Sequence, residues 1–121
     1  MALILVVDDE QDACGMLHRI LSALGHEAVT FTGAHDALRW LQHHVPHLTI
    51  LDFKMQTLDG IQLLRLIRKR DPQARVVILT AYPSAETATD AMQLGAAKYL
   101  TKPIEIDDLE ASVEEVLRSV S

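Results

Sequence analysis

Along this chain, short unbroken apolar runs alternate with stretches in which apolar residues recur every three or four places. Leu3–Val7 is a run without polar interruption, the pattern of a strand buried on both faces. Residues 12–24 then place Leu17, Ile20, Leu21 and Leu24 at helical spacing, and Gly25 supplies the carboxyl-terminal stop. Glu27–Phe31 reads as a short edge strand, because Glu27 and Thr30 dilute its apolar character. Thr32 is the expected N-cap of a helix that ends near His44, with Ala37, Leu38 and Leu41 as its inner stripe. Pro46 breaks that helix before a third strand, Leu48–Leu51. A loop over 53–59 leads to a helix with Ile61, Leu64 and Ile67 turned inward, ended by Asp71-Pro72. Residues 76–79 form the fourth strand. Ser84 caps a helix that stops before Gly95, with Ala85, Ala88 and Met92 as its main buried contacts. Anchors that small predict weak packing and an element able to move. Residues 99–101 form the fifth strand, and Leu109, Val113, Val116, Leu117 and Val120 make a clean stripe on the last helix.

Strand and helix signals thus alternate throughout, which predicts an α/β fold: a parallel sheet of five strands between two helical layers. At 121 residues the chain suits one domain over 1–121 with a single core. A formal net charge of −6 argues against nucleic acid or an anionic membrane as direct partner. Cys14 is the only cysteine, so an intrachain disulfide is impossible and a reducing, cytoplasmic location is expected. Within its helical pattern Cys14 reads as a buried, inert thiol. The apolar start of the chain reaches acidic residues too soon for a signal peptide or a membrane span.

Chemistry collects at the strand ends. The first run ends in Asp8-Asp9, the third in Asp52, the fourth in Thr80 and the fifth in Lys102. In a parallel sheet these groups converge on the carboxyl edge, where open α/β sheets place their ligands. Two carboxylates about 4 Å apart at an effective dielectric of about 20 repel by roughly 4 kcal/mol. That is a large share of the roughly 5–15 kcal/mol that holds a domain together, so a bound cation is expected. Few carboxylates, a loop carbonyl and waters make a magnesium-like set. Taken singly, Asp8, Asp9 and Glu10 also suit a helix dipole, Asp52 a turn, Thr80 a strand end and Lys102 a surface. Together, acids, hydroxyl and ammonium are what metal-assisted phosphoryl transfer to an aspartate needs.

These residues resemble the receiver domain of two-component response regulators over essentially the whole chain. The matching motifs are Val6-Val7-Asp8-Asp9-Glu10; Asp52-Phe53-Lys54-Met55 with Leu58-Asp59-Gly60; Thr80-Ala81; Gly95-Ala96; and Tyr99-Leu100-Thr101-Lys102-Pro103. The resemblance implies a three-layer (βα)5 flavodoxin-like sandwich with strand order 2-1-3-4-5, which makes Asp9 and Asp52 neighbours where the order reverses. It implies that Asp52 accepts a phosphoryl group from a sensor histidine kinase or phosphotransfer protein. Asp9 and Asp52 would ligate Mg²⁺, with Asp8 acting through water and the backbone carbonyl of Lys54 completing the set. Lys102 and Thr80 would each hold a phosphoryl oxygen, and a cis bond between Lys102 and Pro103 would aim the ammonium. Thr80 and Tyr99 would form the switch, repacking the face of the fourth helix, fifth strand and last helix for an output domain, a downstream protein or a second copy. Lys54 and Tyr82 border the attacking water's path and are expected to set the phosphate lifetime, with Tyr82 as a shield. Where the family usually has Met-Pro, this chain has Met55-Gln56, which predicts a less rigid loop after the phosphoacceptor.

Other signals weigh less. His43, His44 and His47 lie close together, but Pro46 interrupts the register and no cysteine or acid completes a zinc set. They read as solvated histidines, and Trp40 reads as packing. Glycine-rich nucleotide loops are absent. A magnesium-dependent phosphohydrolase with an aspartyl-phosphate intermediate is the alternative from another class. Such enzymes typically carry Asp-x-Asp, whereas Asp8 and Asp9 are adjacent, and no cap segment is present to bind a substrate. A phosphorylation-independent interaction module is a third reading, opposed by the intact Asp52, Thr80 and Lys102. Because the chain stops at Ser121, just after the last helix, a stand-alone regulator or the amino-terminal part of a larger one is expected.

Overall fold

A computed structural model describes residues 1–53 and 60–118. The described elements run β1 (Leu3–Val7), α1 (Gln11–Ala23), β2 (Glu27–Phe31), α2 (Ala34–Leu41), β3 (Leu48–Leu51), α3 (Gly60–Arg70), β4 (Val76–Thr80), α4 (Ala85–Gln93), β5 (Lys98–Thr101) and α5 (Ile106–Arg118). All sheet pairings are parallel, in the order β2-β1-β3-β4-β5. The expected α/β sandwich and its strand order are therefore present.

The two-residue period of a strand explains how one sheet serves two cores. Ile4 and Val6 of β1 join Ile50, Val77 and Leu79 against α1 and α5, while Leu5 and Val7 join Leu51, Val76 and Ile78 against α2 and α3. Each fully buried leucine or isoleucine contributes about 1.5–3 kcal/mol. The central strands β1, β3 and β4 are buried almost throughout, whereas the edges β2 and β5 are mostly half-exposed. Lys98 of β5 pairs with Glu115 of α5 at 2.6 Å, and the hydrogen bond and charge of that lysine hold the Glu115 carboxyl below its ordinary value. None of the described helices is long and apolar enough to cross a membrane.

Three local expectations are corrected. The N-cap of α2 is Gly33, not Thr32, and no side chain caps it. The helix closes at Leu41, because beyond it the chain folds into a turn in which the Trp40 carbonyl accepts from the His43 amide and pairs with His44 Nδ1. The His44 ring then stacks on Trp40 at 4.4 Å. In α4 the buried residue is Ala91; Ala85 and Met92 are exposed and Ala88 is half-buried. Rotating the buried line to Ala91 lets α4 approach α3 and β5 through a methyl group, which leaves its larger side chains outside. The 53–59 loop, apart from Phe53, and Val120 lie outside the described residues.

Glycines end two helices: Gly25 and Gly95 adopt φ of 91° and 87°, a region that costs other residues strain. Gly60 matters for a different reason. A Cβ there would lie 2.5 Å from Phe53 Cδ1 and 2.6 Å from the Asp52 carbonyl oxygen, while its amide donates to the Phe53 carbonyl at 3.0 Å. Gly60→Ala is expected to cost about 1–3 kcal/mol in urea unfolding, because backbone has to move to admit the methyl. A stability equal to that of wild type would show that this close approach is relaxed in solution.

Candidate functional site

Parallel topology brings the chemistry to one edge. Asp8 follows β1, Asp52 follows β3, Thr80 is the last residue of β4 and Lys102 follows β5. Ladder-like hydrogen bonds continue past the strand ends and fix these positions: Asp8 N–H donates to the Phe31 carbonyl at 3.1 Å, Asp52 N–H to Val7 at 3.0 Å and Lys102 N–H to Thr80 at 2.8 Å. The side chains point into a site closed from solvent on most sides. Asp8, Asp52 and Thr80 are 2%, 5% and 0% exposed.

Lys102 stands between the two buried acids. Its Nζ donates to Asp8 Oδ2 at 2.5 Å and to Asp52 Oδ2 at 3.5 Å. Burial pulls the ammonium pKa down, but the hydrogen bond and charge of Asp8, with the charge of Asp52, outweigh it, and the net shift is upward from 10.5. The ammonium therefore stays charged. The other Asp8 oxygen, Oδ1, accepts from the Glu10 amide at 3.0 Å. The Lys102–Pro103 peptide bond is cis.

A divalent cation fits beside this pair. Carboxylate oxygens of Asp8, Asp9 and Glu10 lie within 4.8 Å of one another, and hard oxygen donors are what Mg²⁺ prefers. Asp9 is half-buried and Glu10 exposed, so this group opens to water, as an ion that retains part of its hydration requires. Glu10 appears in the sequence motif but not among the expected ligands; its adjacency to Asp8-Asp9 is the signal that points to it. Lys54, expected to lend its carbonyl and to border the water path, lies outside the described residues.

The expected switch residues sit on the next two strands. Thr80 Oγ1 accepts from the Tyr82 amide at 3.1 Å, and the Tyr82 residue is 63% exposed. Tyr99 is half-buried, packs its ring against Phe53 at 5.9 Å and turns its hydroxyl to the start of α4. That hydroxyl accepts from the Ser84 amide at 3.3 Å and lies 2.7 Å from Thr87 Oγ1. Ser84 caps α4 as expected, its Oγ accepting from the Thr87 amide at 3.0 Å. The Ser84-x-x-Thr87 spacing was visible in the chain, whereas its attachment to Tyr99 depends on tertiary placement alone. The three histidines place no metal cluster among the described residues: His44 stacks on Trp40, and His47 Nδ1 accepts from the Leu3 amide at 2.9 Å.

Comparison with known proteins agrees with this fold. The family model for the response regulator receiver domain matches residues 4–114. The transcriptional regulatory protein ZraR of Escherichia coli K12 is 38% identical over 114 residues, which is 94% of this chain and 26% of that protein. The chain thus spans about a quarter of the length of such curated relatives. NtrX from Brucella abortus superposes with a TM-score of 0.90 at 39% identity, over 96% of this chain and 27% of that one. A CheY-like receiver domain protein from Methanospirillum hungatei gives a TM-score of 0.93 at 27% identity, covering 97% of this chain and 94% of that one. With the family model spanning nearly the whole fold and the site residues at its strand ends, the chain belongs to the response regulator receiver domain family of two-component signalling systems.

Proposed function

We propose that this receiver is a phosphorylation-dependent switch in which Asp52 takes a phosphoryl group from a histidine of a sensor kinase or phosphotransfer protein. The observation that carries this reading is the ammonium of Lys102 placed on both Asp8 and Asp52. A carboxylate oxygen of Asp52 attacks phosphorus, the bond from phosphorus to the donor's imidazole nitrogen breaks, and an acyl phosphate remains on Asp52. Lys102 is placed to follow the phosphoryl charge, and the Thr80 hydroxyl to donate to another of its oxygens. Asp9 and Asp52 would hold Mg²⁺ with the Lys54 carbonyl. Both Asp8 oxygens are already engaged, which suits its indirect, water-mediated role. When bound, the cation would supply neutralisation of the charge shared by carboxylate and phosphoryl group. Exposed Tyr82 is proposed to shield the acyl phosphate from water.

The donor's access is suggested by a cleft of about 660 Å³ lined by Met16, Ile20, Pro103 and Ile106 together with Lys102 itself. Met16 and Ile106 are 48% and 58% exposed, so a partner helix carrying the histidine would find apolar contacts next to the acceptor. Incubation with Mg²⁺ and acetyl phosphate, read by intact mass, is expected to add one phosphoryl group; an unmodified mass at saturating donor refutes the reading.

Output is proposed to pass through the loop between Thr80 and Ser84. Drawing the Thr80 hydroxyl toward a phosphoryl oxygen removes the acceptor of the Tyr82 amide, and the loop it held leads directly into the α4 cap on Tyr99. The face of α4, β5 and α5 would then meet an output domain, a downstream protein or a second copy. Tyr99→Phe deletes the hydroxyl but keeps the ring. Amide hydrogen exchange in the first turn of α4 is expected to rise about 3- to 10-fold, as for loss of one modest hydrogen bond. Unchanged exchange there would show that Ser84 and Thr87 hold α4 without the tyrosine.

A further inference from the structure

We propose that Cys14 is a positioning residue: its thiol holds the Asp8 carbonyl and so sets the backbone from which Asp9 presents its carboxylate to a cation. The inference deepens the metal reading above and rests on it. Cys14 lies in α1, 3% exposed, with Sγ donating to the Asp8 carbonyl at 3.3 Å and placed 3.6 Å from the Phe31 carbonyl. Phe31 in turn accepts from the Asp8 amide at 3.1 Å. One sulfur therefore bridges the ends of β1 and β2 directly beneath the acidic loop.

Peptide planarity gives the contact its reach. The Asp8 carbonyl and the Asp9 N–H belong to one rigid unit, so fixing the carbonyl direction fixes the start of Asp9. The Asp8 side chain is committed elsewhere, to Lys102 and the Glu10 amide, and the Asp9 carboxylate has no partner among the described residues. The aim of Asp9 therefore depends on its backbone, and the thiol is the side-chain donor on that peptide. No second cysteine is present to pair with Cys14, and its side chain is buried.

Packing and positioning are separable by two substitutions that shrink the side chain alike. Cys14→Ala and Cys14→Ser both remove the sulfur and are expected to lower Tm to a similar extent. Only serine keeps a donor. In metal-free protein, the Asp9 and Glu10 amides are expected to exchange several-fold faster in Cys14→Ala than in Cys14→Ser. The Mg²⁺ dissociation constant, followed by amide chemical shifts of residues 8–10, is expected to rise about 10-fold in Cys14→Ala, the low end for loss of a partner that orients a metal ligand, and to recover in Cys14→Ser. Exchange and affinity that follow Tm, with serine no better than alanine, overturn the proposal in favour of packing. If wild type shows no saturable Mg²⁺ shift, the metal reading fails and with it the role toward Asp9; saturable binding with equal alanine and serine constants fails Cys14 alone.

Discussion

Asp52→Asn is expected to leave the folded receiver unable to take up phosphate: with Mg²⁺ and acetyl phosphate, its adduct should form at least about 100-fold more slowly than in wild type, a barrier rise of roughly 2.7 kcal/mol. The amide is isosteric with the carboxylate but lacks the negative charge with which Asp52 is proposed to attack phosphorus. It is also the substitution least able to act through unfolding. Asp52 is 5% exposed beside Asp8 at 2%, and both face one ammonium. Removing one of two buried negative charges lowers their repulsion, and Lys102 keeps its shorter contact to Asp8. Tm is therefore expected to hold or rise while phosphoryl uptake disappears. A phosphoryl adduct of undiminished yield would move the acceptor to another carboxylate.

The two levels of the molecule were not equally legible from the chain. The strand order was implied by the resemblance to receiver domains, whereas the convergence of Asp8, Asp52, Thr80 and Lys102 follows from apolar runs that each end in a polar residue, because parallel strands point all such ends the same way. Period and chain direction suffice for that inference. The helix surfaces required more. Ala85, Ala88 and Met92 fall on a helical stripe, yet Ala91 is the residue that packs, since the stripe of an alanine-rich helix carries too little hydrophobic contrast to set its rotation. At α2 the Thr32 hydroxyl looked like a cap, and Gly33 holds that place without one. Contacts between residues far apart in sequence were beyond reach. Tyr99 was expected to act as a switch residue, but the Ser84 amide and Thr87 hydroxyl as its partners depend on how α4 meets β5. Cys14 read as inert for the same reason: its burial was legible, while its carbonyl partner on Asp8 appears only once α1 lies on the sheet.

Lys102→Met is expected to cost the metal-free protein about 3 kcal/mol at pH 7, the low end for breaking a buried ion pair, and to slow phosphoryl uptake as well. Methionine retains most of the apolar stem, so the loss reports the charge rather than packing. Without the ammonium, Asp8 and Asp52 lose the cation that contacts them both. Two treatments should return stability by supplying what was removed: saturating Mg²⁺, or the second substitution Asp8→Asn, which should be far less costly in this background than its own effect in wild type predicts. The alkaline limb gives an independent sign. The Lys102 pKa is raised in the folded state above its ordinary 10.5, so its stabilisation is complete below that pH and is lost as pH rises through the folded value. The stability gap between wild type and Lys102→Met, measured by urea unfolding, is therefore expected to stay level from neutral pH to about 10.5 and to close above it. A gap under about 1 kcal/mol at pH 7 is what a solvated surface pair gives, and would mean that the ammonium does not sit between two buried acids in solution.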